Sequence, residues 1–207
     1  LGSRLSVPLA PRENVVSIAY STAPSASGLQ WLSPAQTRGK KRPYLFTQAQ
    51  AIHARSFVPC QDTPGVRFAY EAEIEAPEGL VAVMSAVPGD DRPTPAPSGR
   101  RVFRFNQERA IPAYLLALAV GDLEFRAIGP RTGVWSEPSL VDAAASEFRD
   151  LEAMVDAVEE MYGPYRFGRY DVLVLPPSFP FGGMENPNMT FATPTLLAGD
   201  RSLVSVI

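Results

Sequence analysis

A single carboxylate, Glu185, follows two glycines in the segment 179–191, which reads FPFGGMENPNMTF. Gly182 and Gly183 have no Cβ, so another backbone can come close to this segment, as happens when an extended peptide pairs with an exposed strand edge. A carboxylate beside such an edge lines a cleft, and its natural partner there is a cation that a ligand brings. One interpretation of this spacing is a cleft in which Glu185 meets a cation that a ligand brings.

The same residues fit a simpler interpretation. Met184, Met189 and Phe191 are apolar enough to hold a strand against a core. The two glycines can equally form a turn that lets Glu185 pair with a local Lys or Arg. Spacing alone leaves both interpretations of Glu185 open.

Residues that suit metal binding or disulfide formation are scarce. The 207 residues include one cysteine, Cys60, and one histidine, His53. A lone cysteine cannot form an internal disulfide, and no Cys/His cluster has metal-ligand spacing, so we expect a reducing, cytosolic setting and no metal site in this chain. His53 fits a structural imidazole better than a ligand, although both roles are open.

Composition excludes several classes of function. Hydrophobic residues make up 45% of the chain, charged residues 20%, and the net charge is -3, which is typical of a soluble globular protein with no overall attraction to nucleic acid or anionic membranes. No apolar run reaches the roughly 18 residues of a membrane span. The basic run RGKKR at 38–42 could be a targeting or polyanion patch, but a solvated loop is favoured.

The elements that must position Glu185 follow two different hydrophobic patterns, one before Gly121 and one after it. Before Gly121, strands are predicted at 66–74, where apolar and polar residues alternate, at 80–87 and 102–105, and as a central strand at 114–120. The proline-rich stretch 88–99 is predicted to be a surface loop within the sheet or, less favoured, a linker.

After Gly121 the pattern becomes helical. A capping-box sequence at 139–142 and an apolar stripe from 140 to 162 predict one helix with a core-facing stripe, which Gly163-Pro164 ends. A short buried strand is predicted at 171–175, just before the Glu185 segment. The fold class is therefore predicted to be α+β, with two units at 1–121 and 122–207.

Six motifs in order resemble one enzyme family. FGGMEN at 181–186 is similar to the G-x-M-E-N exopeptidase motif of the gluzincin zinc aminopeptidases. The other motifs narrow the resemblance to the aminopeptidase B and leukotriene A4 hydrolase group, most of all its arginyl-aminopeptidase-like branch. They are FTQAQAIHAR at 46–55, PCQDTP at 59–64, IGPRT at 128–132, VWSE at 134–137 and TPTLLAGD at 193–200.

This resemblance implies a fold and a ligand. Residues 1–121 would be an N-terminal, saddle-like β-sheet domain that is incomplete at its start, and residues 122–207 the opening part of a thermolysin-like catalytic domain. Glu185 would bind the α-ammonium of a peptide with a free N-terminus, assisted by Gln50. The implied substrate-binding residues are Gln48, Gln50, Phe181, Gly182, Gly183, Met184, Glu185 and Asn186.

The cleaving chemistry implied by the family needs zinc, held by an H-E-x-x-H helix and a further Glu. No such motif occurs in residues 1–207, so we predict no catalytic residue and no metal ligand here. The zinc ligands of the parent metalloprotease would lie beyond Ile207, and the chain alone would be inactive. The alternative is a catalytically inactive truncated form or pseudo-enzyme that serves as a peptide- or protein-binding module.

One departure limits what the resemblance implies. Family members with epoxide hydrolase activity carry Tyr where this chain has Phe181, so that second activity is not implied. The sequence indicates neither the side-chain preference at the first substrate position nor the oligomeric state.

Overall fold

The computed structural model describes residues 3–12, 14–90, 93–97 and 99–207. Two α-helices occur in these ranges, α1 (Val141–Glu147) and α2 (Leu151–Tyr162). Neither is long and apolar enough to cross a membrane. The strands of the same ranges are β1 (Leu29–Leu32), β2 (Tyr44–Thr47), β3 (Arg67–Pro77), β4 (Val81–Met84), β5 (Val87–Pro88), β6 (Thr94–Ala96), β7 (Arg100–Pro112), β8 (Leu118–Gly121), β9 (Glu124–Ala127), β10 (Thr132–Ser136), β11 (Tyr170–Val174), β12 (Gly183–Met184) and β13 (Met189–Ala192).

The strands form three sheets. The first has the order β1-β2-β8-β4 and is antiparallel throughout. The second has the order β3-β7-β5, with β6 also pairing to β7. The third has the order β12-β13-β11-β10-β9; its three inner strands are parallel, and its two edge strands are antiparallel to their neighbours. The predicted α+β class is confirmed.

The third sheet is covered on both faces. One face packs against the first sheet in a shared apolar core, which includes Phe46, Val83, Leu173 and Phe191. The other face packs against the helices through residues that include Val134, Ala144, Phe148, Leu151 and Val172. Because both faces are covered, the inner strand β11 is nearly all apolar, as is typical of parallel strands.

The predicted single helix over 140–162 is wrong. Two helices occupy this range, because α1 ends at Glu147 and α2 begins at Leu151. α1 begins after Leu140 with no side-chain cap, so the predicted capping box is not formed. The first half of the apolar stripe is core, but Val158 is 50% exposed and Tyr162 is 83% exposed. Periodicity identifies an apolar face without determining what covers it. The predicted stop is confirmed, since α2 ends at Tyr162 and Gly163 has φ 88°.

The apolar run at 114–120 is only partly a strand. A 3₁₀ turn occupies Ala113–Leu115, closed by the bond from Leu116 N to Ala113 O, and β8 begins at Leu118. A short apolar run does not distinguish a buried turn from a buried strand. The predicted central position is confirmed, because β8 lies between β2 and β4.

Two stretches that the sequence predicts as loops, 88–99 and 38–42, differ in the structure. In the stretch 88–99, β6 pairs with β7, so this stretch belongs to the sheet; residues 91, 92 and 98 lie outside the described residues. The basic run 38–42 is an exposed loop, held where Arg38 N and Gly39 N donate to the Glu137 carboxylate at 2.9 Å each. The division between 1–121 and 122–207 stays a prediction.

Candidate functional site

The Gly182–Glu185 segment forms one edge of the third sheet. Within β12, Gly183 is level with Ala192 and Met184 with Phe191 of β13. Thr193 N also donates to Gly182 O at 3.1 Å. Across the described part of the chain, no strand pairs with the opposite edge of β12. A row of main-chain groups is therefore open to an added strand.

The two glycines leave room at this edge. Neither has a positive φ, so the backbone conformation does not require glycine at either position. Among the described residues, a Cβ at Gly182 would meet no atom within 4 Å, and one at Gly183 would meet Phe191 O at 3.3 Å. The space beside Gly182 is open.

Apolar anchors hold the segment down from below. Met184, Met189 and Phe191 are all buried, as their composition predicts. Phe179 is also buried, and its ring meets Phe46 of β2 edge-to-face at 5.8 Å between centroids. Phe181 is 49% exposed and packs edge-to-face on Phe179 at 5.9 Å. The motif therefore has a fixed base and an exposed aromatic ring.

Glu185 lies on the surface directly after β12. Its side chain is exposed and has no hydrogen bond or ion pair with any residue that the structure describes. The alternative in which a local Lys or Arg neutralises Glu185 is therefore not the arrangement in this structure.

The loop after Glu185 is rigidly bonded. Asn186 is buried; its side-chain amide donates to Met184 O at 3.4 Å and to Met189 O at 3.3 Å. Asn188 is also buried and adopts φ 66°, a left-handed conformation that asparagine tolerates better than most residues. The Asn186 amide thus shapes the loop, and the prediction that Asn186 contacts a ligand stays a prediction.

Of the two predicted glutamines, only Gln48 is bonded to the motif. Its Nε2 lies 3.6 Å from Met184 Sδ, and its buried Oε1 has no hydrogen-bond partner in the described structure. Gln50 is exposed, and no hydrogen bond joins it to Glu185 or to any other described residue. Both follow β2, in the sheet that packs against the third sheet.

Gln107 and Tyr165 also support the loop, and the sequence patterns did not single them out. Gln107 Nε2 donates to Asn188 Oδ1 at 2.9 Å, and Asn188 N donates to the Tyr165 hydroxyl at 3.1 Å. Burial raises the pKa of Tyr165 to about 12, so its hydroxyl stays neutral. The one available clue was Gln107 itself, a polar residue on the buried face of an alternating strand.

The side chains that the structure describes do not fit a zinc site. Among the described residues, no three His, Cys, Asp or Glu side chains lie together as a metal would need. The His53 Nδ1 atom is 2.7 Å from Ser27 Oγ, which is the environment expected of a structural imidazole.

Comparison with known proteins gives two family matches along the chain. Residues 5–115 match the Peptidase M1 N-terminal domain, and residues 147–206 match the Peptidase family M1 domain. The chain is 52% identical to leukotriene A-4 hydrolase of Xenopus laevis over 196 residues, which are 95% of the chain and 32% of the relative. It is 52% identical to aminopeptidase B of Homo sapiens over 181 residues, 87% of the chain and 27% of the relative. The chain thus spans about a third of the length of these curated relatives.

Solved structures of related proteins indicate the same family. Yeast LTA4 hydrolase in complex with bestatin superimposes with a TM-score of 0.82 at 46% identity, covering 89% of this chain and 28% of that one. The native yeast enzyme gives a TM-score of 0.81 at 44% identity. The group indicated by the six motifs is therefore confirmed, and the chain belongs to the peptidase M1 family.

Proposed function

We propose that this chain supplies the binding site for the amino end of the substrate in a zinc-dependent aminopeptidase, which releases N-terminal residues from peptides. The observation that carries the proposal is the unpaired Glu185 carboxylate directly after the open strand edge β12. Its relatives include an aminopeptidase B and a leucine aminopeptidase.

Glu185 would select peptides by the charge at their end. A free N-terminus is an ammonium group, and a charge-assisted hydrogen bond to a carboxylate contributes about 1.5–3 kcal/mol. An internal peptide bond or an acetylated N-terminus carries no cation to place beside Glu185. The carboxylate therefore favours exopeptidase over endopeptidase action.

The strand edge would hold the peptide backbone. An extended peptide beside β12 can pair with its free main-chain groups, and the open space at Gly182 lets that backbone approach. Gln48 contacts the same strand at Met184 Sδ, and its buried Oε1 has no donor among the described residues; rotation of this amide would offer the oxygen to an N–H group of the ligand. Exposed Gln50 is free to turn toward the ammonium.

The bond-breaking step is assigned to zinc, whose ligands we propose lie beyond Ile207. Zinc would supply Lewis-acid chemistry there. We keep the prediction that residues 1–207 alone do not cleave peptides; chelator-sensitive hydrolysis of an aminoacyl-arylamide by the purified chain would overturn it. The single cysteine supports a cytosolic location for the protein.

The test is Glu185→Gln in a form of the protein that carries a zinc motif. Loss of the charge-assisted bond should lower kcat/KM for an aminoacyl-arylamide about 10- to 100-fold, while zinc content stays unchanged. Glu160→Gln is the matched control, because Glu160 is exposed on α2 and should leave the rate unchanged.

Unchanged kinetics in Glu185→Gln would contradict the proposal. If the unmodified protein binds free-amine peptides through Glu185 but does not cleave them, the binding-module alternative is correct instead. Lost zinc in Glu185→Gln would instead indicate that Glu185 acts in folding.

A further inference from the structure

We propose that Gln107, a residue of the second sheet, is a positioning residue that holds Glu185 in place through Asn188. The proposal rests on the proposed function of Glu185. Gln107 is 3% exposed and projects from β7, 81 residues before Asn188. It therefore joins the sheet β3-β7-β5 to the substrate-binding loop.

Both polar atoms of the Gln107 side chain have hydrogen-bond partners. Its Nε2 donates to Asn188 Oδ1 and to Ser85 O, each at 2.9 Å. Its Oε1 accepts from Arg109 N at 3.2 Å. Such a buried, fully satisfied amide has one stable orientation.

Asn188 is held from the other side as well. Its Nδ2 donates to Phe167 O and Arg169 O, and its N donates to the Tyr165 hydroxyl. Because these donors are engaged, the Asn188 Oδ1 atom is the group that faces Gln107. Asn188 thus fixes the far end of the loop that begins at Met184.

Glu185 depends on this support because its own side chain has none. Its exposed carboxylate has no hydrogen bond or ion pair with the residues that the structure describes, so its position follows from the backbone between Met184 and Asn188. Removing the Gln107 amide leaves Asn188 Oδ1 and Ser85 O as buried acceptors without that donor, which favours a shifted loop. A shift of even about 1 Å in a binding group weakens catalysis substantially.

The test compares four forms of a zinc-containing protein: unmodified, Gln107→Met, Glu185→Gln and the double variant. Methionine matches glutamine in length but has no amide. We expect Gln107→Met to lower kcat/KM for a free-amine arylamide about tenfold, with zinc content unchanged. In the Glu185→Gln background the same substitution should cost less than about twofold, because residues that act together are not additive.

Two variants guard the interpretation. Gln107→Leu also removes the amide and cannot donate to Asn188 Oδ1, so it should reproduce the loss and serves if Gln107→Met does not fold. Asn106→Met alters the neighbouring residue of β7, whose amide bonds to Glu108 and to no other described side chain, and should have no effect.

Each other outcome counts against the proposal. An equal loss from Gln107→Met in both backgrounds would mean that Gln107 acts on the fold generally. A normal rate in Gln107→Met and Gln107→Leu would remove its role altogether. If Glu185→Gln alone leaves kcat/KM unchanged, the proposed function of Glu185 is wrong, and the positioning role of Gln107 is then wrong as well.

Discussion

Glu147 and Glu185 are two carboxylates beside the same sheet with opposite surroundings. Glu147, at the end of α1, is 4% exposed and accepts from Gly199 N at 3.0 Å and from Arg201 N at 2.9 Å. Glu185 is exposed and has no such bond among the described residues. The first carboxylate is part of the fold because the chain supplies its donors, whereas the second has no such donor among the described residues, as the proposed binding role requires.

Glu137 and Glu152 follow the pattern of Glu147. Glu137 accepts from two backbone amides of the basic loop. Glu152 accepts from the Thr132 hydroxyl at 2.6 Å and from Arg131 Nε at 2.7 Å. Carboxylates that accept hydrogen bonds from neighbouring elements therefore recur among the described residues, and Glu185 is not one of them.

The largest loss of stability should come from removing a carboxylate that accepts hydrogen bonds from the backbone. Glu147→Leu removes a buried carboxylate that accepts from the Gly199 and Arg201 amides, and the loss of two hydrogen bonds to a charged group should lower the free energy of unfolding by about 3 kcal/mol. Glu185→Leu should change it by less than about 0.5 kcal/mol. Urea unfolding followed by circular dichroism measures both, and equal losses would erase the contrast.

Glycines of the two regions should differ in the same direction. In β10, a Cβ at Gly133 would lie 2.2 Å from ring carbons of Phe125, so Gly133→Ala should destabilise the protein by about 2 kcal/mol. Gly182→Ala meets open space and should stabilise it by about 0.5 kcal/mol through the unfolded state. In a form of the protein that carries a zinc motif, Gly182→Ala should nevertheless reduce peptide turnover, since the methyl group occupies the approach to the strand edge. Unaltered turnover would argue against that approach.

The smallest of these effects is the loss of folding stability at acidic pH. Arg131 donates to Glu152 and Glu159 at 2.7 Å each. The Arg131 bond lowers the pKa of Glu159, with help from Tyr165 N; burial works to raise the pKa of Glu152, but the Thr132 hydroxyl and Arg131 outweigh it and lower that pKa too.

Because both folded-state pKa values are lowered, the resulting stability is present above the ordinary value of 4.5 and lost as pH falls through the folded-state values. Arg131→Met should therefore lower the urea midpoint at pH 7 and show a shrinking difference from the unmodified chain toward pH 3. A difference that stays constant with pH would mean that Arg131 acts by packing alone.

Local patterns predicted the elements whose surroundings repeat along the chain. The alternation at 66–74 gave β3 correctly, because a half-buried strand has one covered face along its length. The apolar stripe at 140–162 predicted the buried face correctly only where the helices pack against the third sheet. Leu151 is buried and Val158 is not, although the pattern treats them alike.

The sequence by itself determined the family and the carboxylate of interest, since G-G-M-E-N and its companion motifs are contiguous strings whose chemistry is local. Only the tertiary structure decided what meets them. Gln48 reaches Met184 across 136 residues, and Gln107 reaches Asn188 across 81. These contacts depend on sheet order and on which faces pack together, and side-chain periodicity carries no record of either. The same long-range packing decides that Glu147 finds its donors inside the chain and Glu185 does not.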